Sequence, residues 1–217
     1  MRPERHSFVW IAAQWRALLV AELLVPDETA RLVEAWRLAG YPLVVGASRA
    51  GDPPGSVRLG LATPAKARIG LLVGREAVVD VAPPPGLDAA RRAAPPAWRT
   101  VLDTIEHIAG EHRAAIAVYG SLAWQALSGV PFVRPDSDID LLIDAGPPAA
   151  AAELFASLAA LKVTPRLDGE WRVHPGVAVN WREYAGVSQG PLDQDILVKG
   201  HGGPWLWPLS RLHDFQS

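Results

Sequence analysis

Ala115-Ile116-Ala117-Val118-Tyr119-Gly120-Ser121-Leu122 and, further on, Ser137-Asp138-Ile139-Asp140-Leu141-Leu142-Ile143 decide how this chain reads. The first stretch is an apolar strand that stops at Gly-Ser and continues as a helix over Leu122–Leu127. A turn of that kind presents free backbone N–H groups and a hydroxyl at a helix N-terminus, a natural seat for phosphate. Gly120 lets a ligand come close to the backbone there. In the second stretch Asp138 and Asp140 alternate, so both side chains leave one face of a predicted strand while Ile139 and Leu141 enter a core. Two carboxylates side by side repel and are costly unless a cation sits between them. Hard oxygen ligands of this kind suit Mg²⁺, with Mn²⁺ as an alternative. A phosphate cradle opposite a metal-binding carboxylate pair is the apparatus of phosphoryl or nucleotidyl transfer. The competing structural reading of the pair is a solvated edge strand carrying protective charges. An EF-hand is excluded, because a loop begun at Asp136 has Leu141 and Pro147 where glycine and glutamate are required.

Outward from this motif, Trp98 to His112 carries Val101, Leu102, Ile105 and Ile108 at helical spacing, and Ala149–Leu161 reads as another helix. A hairpin is predicted from strands near Arg166–Val173 and Val177–Tyr184 around the turn His174-Pro175-Gly176, with a last strand at Asp195–Lys199. Ala82-Pro83-Pro84-Pro85-Gly86 is the best linker, and Pro95-Pro96 a second. Before it, residues 7–24 read as a short strand or turn and then a helix with Trp15, Leu18, Leu19 and Leu23 on one face. A second helix follows Pro26 and ends at Gly40, and strands are predicted at Pro42–Val45, Val57–Leu61, Arg68–Val73 and onward through Ala77–Val79. The division is therefore an α+β domain over 1–85 and a catalytic domain over 86–217. The first half carries no metal-competent carboxylate pair, which points to binding of substrate or partner, with Arg58 as a representative contact.

Composition narrows the function classes. The 217 residues are 49% hydrophobic and 20% charged, an ordinary globular mixture. Lys and Arg total 21 against 23 Asp and Glu, so bulk positive charge does not hold this chain on nucleic acid. No stretch reaches the roughly 20 apolar residues of a membrane span and no secretory signal is visible, so a cytoplasmic protein is expected. The absence of cysteine excludes disulfides, thiolate metal sites and cysteine nucleophiles. Walker A, His-Glu-x-x-His and Gly-x-Ser-x-Gly patterns are all missing. His201, among glycines near the C-terminus, reads either as a site residue or as part of a loop.

Gly120-Ser121 followed by Asp138-x-Asp140 resembles the nucleotidyltransferase superfamily that includes DNA polymerase β, although the spacer is longer than is usual there. The wider string Tyr119-Gly-Ser-Leu-Ala-Trp-Gln-Ala-Leu-Ser-Gly-Val-Pro with Ser137-Asp-Ile-Asp-Leu-Leu resembles the phosphoribosyl-dephospho-CoA transferase family of malonate decarboxylase, also called its holo-acyl-carrier-protein synthase. Pro42-Leu43-Val44-Val45, Asp168-Gly169-Glu170, Val179-Asn180-Trp181-Arg182-Glu183 and Leu197-Val198-Lys199 fit the same family in order along the chain. The resemblance implies a polymerase-β-type mixed sheet with flanking helices behind a small α+β domain. It implies transfer of phosphoribosyl-dephospho-CoA from 2′-(5″-triphosphoribosyl)-3′-dephospho-CoA to a serine of the apo acyl carrier protein, with release of pyrophosphate. Alternatives are another metal-dependent nucleotidyltransferase acting on a small hydroxyl compound, or a non-catalytic module that binds the carrier protein.

On this resemblance Asp138 and Asp140 hold the metal, Gly120 and Ser121 cradle phosphate, and Trp124 packs beneath the cradle or stacks on the substrate. The superfamily adds a third carboxylate on the second strand of the following hairpin. That position falls near Asn180, which cannot act as a base, leaving Glu183 on the same strand and Glu170 on its partner as rival candidates. Arg182, on the face of Asn180, is a phosphate contact or a salt-bridge partner. Lys199 is a phosphate contact or a strand-end charge.

Overall fold

In the computed structural model, residues 3–20, 25–64, 67–200 and 202–214 are described. Chain contacts divide the protein into two units, Met1–Pro84 with His201–Gly203, and Pro85–Gly200 with Pro204–Ser217. The described residues form a mixed α+β protein with seven α-helices and two sheets.

The first unit contains β1 (Phe8–Ile11), α1 (Asp27–Leu38), β2 (Leu43–Val45), β3 (Ser56–Ala62), β4 (Arg68–Gly74) and β5 (Val78–Ala82). Its sheet has the order β4-β3-β2-β1-β5 with antiparallel neighbours. Among the described residues the helix expected after β1 does not form. Trp15–Leu18 makes one 3-10 turn, and Leu19 then bridges Val73 while Val20 N–H donates to Leu72 O at 2.9 Å. Tertiary pairing with the edge of β4 has overridden the helical spacing of Trp15, Leu18 and Leu19; Leu23 lies outside the described residues. Trp15 is fully buried, and its Nε1–H donates to Glu34 Oε2 at 2.9 Å. Hydrogen bonds from Arg37 and Trp15 pull the Glu34 carboxyl down to about 2. Arg58 forks onto Asp52, Nε donating to Oδ2 at 2.8 Å, and the Asp52 side chain is 8% exposed. Arg58 is thus the ion-pair partner of the Asp52 carboxylate.

The second unit contains α2 (Leu87–Ala93), α3 (Pro96–Glu111), β6 (Ala115–Tyr119), α4 (Gly120–Ser128), β7 (Ile139–Asp144), α5 (Pro148–Ala160), β8 (Leu167–His174), β9 (Val177–Asn180), α6 (Trp181–Val187), β10 (Asp195–Gly200), β11 (Gly203–Pro208) and α7 (Leu209–Asp214). The sheet order is β11-β10-β9-β8-β7-β6. β7 and β8 are parallel, as a crossover through α5 requires, whereas β6–β7, β8–β9 and β9–β10 are antiparallel. α2, β11 and α7 are additions to the predicted elements. The strand expected through Tyr184 ends at Asn180, because the Asn180 side chain accepts hydrogen bonds from the N–H groups of Arg182 and Glu183 and starts α6. Among the described residues no helix is long and apolar enough to cross a membrane.

One face of β7–β8 is held by aromatic packing. Phe155 of α5 lies 5.7 Å from the Trp171 ring, 5.8 Å from Trp181 and 6.0 Å from Tyr184. The pleat sends Asp140, Asp168 and Glu170 to the other face. The two strands approach closely at Gly169, whose φ is +140° and whose missing Cβ would stand 2.0 Å from Leu141 O. Gly169→Ala is therefore expected to lose at least about 3 kcal/mol of stability through backbone collision and strain. Urea denaturation followed by circular dichroism measures it; an unchanged midpoint contradicts the close approach.

Candidate functional site

The site is built on one row of the second sheet. Tyr119 of β6 pairs with Asp140 of β7, and Asp140 pairs with Asp168 of β8. Asp138 lies two residues before Asp140, in the extended segment leading into β7. Glu170 lies two residues after Asp168. Asp138, Asp140, Asp168 and Glu170, with Asp144 at the far end of β7, therefore leave one face of two neighbouring strands.

Gly120 adopts φ +64°, and a Cβ added there would meet Asp140 Oδ2 at 1.9 Å. The turn that starts α4 thus sits directly against the Asp140 carboxylate. The α4 N-terminus receives no side-chain cap, and Ser121 in its first turn makes no side-chain hydrogen bond among the described residues. Trp124 is buried and stacks on Phe132 at 5.8 Å, the packing role expected of it.

Electrostatics follow from this crowding. Asp140 is pushed up to about 7, first by burial and then by the negative charges of Asp168 and Asp138, with Arg166 opposing. Arg166 spans the row's mouth: its Nη2 donates to Asp138 Oδ2 at 2.7 Å and to Asp168 Oδ2 at 2.8 Å. The remaining Asp168 oxygen accepts from Asn180 Nδ2 at 2.9 Å and from Gly169 N–H at 2.7 Å. Glu170 is 2% exposed and accepts from Lys199 Nζ at 2.9 Å. Among the described residues no group of three or more His, Asp or Glu is arranged to hold a metal ion.

The structure thus brings Gly120, Ser121, Asp138 and Asp140 to one end of the sheet. The third-carboxylate candidates come out differently. Glu183 is not on a strand; it sits in the first turn of α6 and its Oε1 accepts from Leu197 N–H at 3.1 Å. Glu170 shares the face but is tied to Lys199. The carboxylate opposite Asp140 is Asp168, because the strand beside β7 is the first of the hairpin, not the second. Its signal was the repeated alternation Asp168-x-Glu170, the same spacing as Asp138-x-Asp140. Arg182 does not share the face of Asn180. Its Nε donates to Leu167 O and its guanidinium lies 4.6 Å over the Trp181 ring. Lys199 is the counter-ion of Glu170, and His201 lies outside the described residues.

The chain matches the family described as phosphoribosyl-dephospho-CoA transferase MdcG in two parts, the N-terminal domain over residues 4–84 and the C-terminal domain over 86–210. A curated phosphoribosyl-dephospho-CoA transferase of Xanthomonas campestris pv. campestris is 35% identical over 213 residues, covering 96% of this chain and 95% of that protein. One of Bradyrhizobium diazoefficiens is 38% identical over 204 residues, covering 91% and 86%. No solved structure matches the chain.

The raised Asp140 carboxyl yields a pH dependence with a definite sign. In the folded chain Asp140 keeps its proton up to about 7, whereas its ordinary value is 3.8. The native state binds more protons between those limits, so this group lowers stability as pH rises from 4 to 7 and the full cost persists above. In chelator-treated protein at pH 8, Asp140→Asn is expected to raise unfolding free energy by on the order of 2–4 kcal/mol, a gain that shrinks toward pH 4. Urea titrations across that range test it; a gain independent of pH contradicts the assignment.

Proposed function

The chain belongs to the phosphoribosyl-dephospho-CoA transferase family, and from that premise we propose that its second unit attaches phosphoribosyl-dephospho-CoA to a serine of the malonate decarboxylase acyl carrier protein. The donor is 2′-(5″-triphosphoribosyl)-3′-dephospho-CoA. The serine oxygen attacks the phosphorus nearest the ribose, a phosphodiester bond forms, the bond to the next phosphate breaks, and pyrophosphate leaves. The reading takes the second sheet, with its mixed order and the carboxylate row beside the Gly120-Ser121 turn, as a nucleotidyltransferase-like fold.

The single observation that supports it best is the row Asp138, Asp140 and Asp168 placed against the N-terminus of α4. Carboxylate oxygens are the hard donors that a divalent cation such as Mg²⁺ takes, and the ionised form of Asp140, disfavoured by burial and then by its neighbours, would gain from one. When bound, Mg²⁺ would neutralise triphosphate charge and acidify the attacking hydroxyl. The Ser121 hydroxyl and the N–H groups of the first turn of α4 would hold departing phosphate oxygens. Asp168 is the third carboxylate of this reading and would help to hold the cation through its outer oxygen. Asn180 and the Gly169 N–H hold the other oxygen of that carboxylate and so set its orientation. The first unit is assigned to binding of the long substrate or the carrier.

The test is incubation with apo carrier protein, the triphosphoribosyl precursor and Mg²⁺, followed by mass spectrometry of the carrier. Wild-type protein is expected to add the prosthetic group, and a carrier lacking its acceptor serine to stay unmodified. Asp138→Ala, Asp140→Ala and Asp168→Asn should each slow transfer by at least about a thousandfold, since each removes several kcal/mol of transition-state stabilisation. Glu183→Ala should change the maximal rate by less than about threefold, within the range of a lost surface contact. Full activity in Asp168→Asn, or loss in a folded Glu183→Ala protein, would reverse the choice of third carboxylate.

A further inference from the structure

We propose that Arg166 is a positioning residue with two stations. In the cation-free protein its guanidinium ties Asp138 to Asp168; when a divalent cation takes those carboxylates, it turns to the phosphates of the bound substrate. This rests on the reading of Asp138, Asp140 and Asp168 as the metal-binding row.

Arg166 Nη2 donates to Asp138 Oδ2 at 2.7 Å and Asp168 Oδ2 at 2.8 Å, and Nε to Asp138 Oδ2 at 3.3 Å. The other oxygen of Asp168 is already engaged by Asn180 and the Gly169 N–H. A cation bound to Asp168 must therefore take the oxygen that Arg166 holds. Cation and guanidinium carry like charge, and crowding both on that one oxygen sets them in competition.

The competition is reversible because the Arg166 side chain is 60% exposed, and exposed ion pairs contribute little individually. Its backbone is anchored separately, since Arg166 C=O accepts from Ile139 N–H at 2.9 Å. Release moves the side chain alone and leaves β8 in register. The other cations on this face are committed: Lys199 to the buried Glu170 and Arg172 to Asp144. By register Arg166 lies two residues before Asp168, at the end of the sheet where Tyr119 passes into Gly120 and Ser121. Phosphate held by that turn comes within the arc of a long side chain, and a guanidinium meets two phosphate oxygens at once. The crowded face keeps a positive charge in both states, the guanidinium before cation binding and the cation after.

Two measurements test this: Mn²⁺ binding by electron paramagnetic resonance without substrate, and steady-state kinetics with the triphosphoribosyl precursor. Arg166→Ala should bind Mn²⁺ roughly two- to fivefold tighter, because an exposed competing ion pair is gone. The same variant should show a KM for the precursor raised by about tenfold or more, the loss of a charged hydrogen-bonding partner. Arg166→Lys keeps the charge without the fork and should fall between on KM. A merely structural arginine would weaken Mn²⁺ binding when removed. Unchanged or weaker Mn²⁺ binding in Arg166→Ala, with Asp140→Asn losing Mn²⁺ as the row requires, overturns the role of Arg166 alone, as does an unchanged KM. If wild type and Asp140→Asn bind Mn²⁺ alike, or neither binds, the metal reading fails and this proposal with it.

Discussion

Like-charge crowding on one face of β7 and β8 governs the second unit. Asp138, Asp140, Asp168 and Glu170 leave the same side of two adjacent strands, and Asp140 is buried enough that desolvation is the largest cause of its raised carboxyl. A sheet selected for stability alone would place apolar side chains there, because buried ionic groups seldom repay their desolvation. Such a conflict between local chemistry and folding is expected where a site needs it. The countercharges are divided by depth. Lys199 meets the buried Glu170, while the exposed Arg166 meets the outer pair Asp138 and Asp168. The deep end of the row is paired with Lys199, and the outer end with the more exposed Arg166.

The charged face can be tolerated because the opposite one is strongly built. Phe155, Trp171, Trp181 and Tyr184 form a buried aromatic cluster between α5, β8 and α6. Their burial supplies the large apolar contribution that such side chains bring. The cluster carries its own cost, since Trp171 Nε1 and Trp181 Nε1 have no hydrogen-bond partner among the described residues. Tyr184 avoids it by donating its hydroxyl to Pro148 O at 3.2 Å. Two glycines complete the arrangement from the front. Gly169 lets β8 lie against the Leu141 backbone, and Gly120 lets the head of α4 lie against the Asp140 carboxylate. A side chain at Gly120 would strike Asp140 itself, so the glycine matters for the chain's own packing before any ligand arrives.

Much of this was legible where one local rule operates. Alternation put Asp138 and Asp140 on one face, and the break at Gly120-Ser121 marked a strand passing into a helix. What was not legible depended on which strands become neighbours. The third carboxylate was sought on the second strand of the hairpin, at Asn180, Glu183 or Glu170, whereas the parallel pairing of β7 with β8 puts Asp168 opposite Asp140. Register between distant strands is set by the α5 crossover and the packing of Phe155, neither of which leaves a trace near Asp168. The same limit applies to residues 15–20, where helical spacing lost to pairing with β4. Glu183 stands on a helix, not on the strand expected for it. Asn180 followed three residues later by Glu183 is a helix-start signature, and reading it would have ended the strand there.

Asn180 shows how little sequence is needed to couple these parts. Its side-chain oxygen accepts from Arg182 and Glu183 N–H and so ends β9 and begins α6. The nitrogen of the same amide donates to Asp168 Oδ1. Because the oxygen is committed to two N–H donors, the amide cannot flip, and its N–H must face the carboxylate. The cap therefore dictates the donor, and the donor dictates which Asp168 oxygen points back into the sheet and which points toward Asp138. An aspartate would cap the helix equally well but would confront Asp168 with a further negative charge. The amide is the side chain that caps a helix and orients a carboxylate without adding to the crowding on that face.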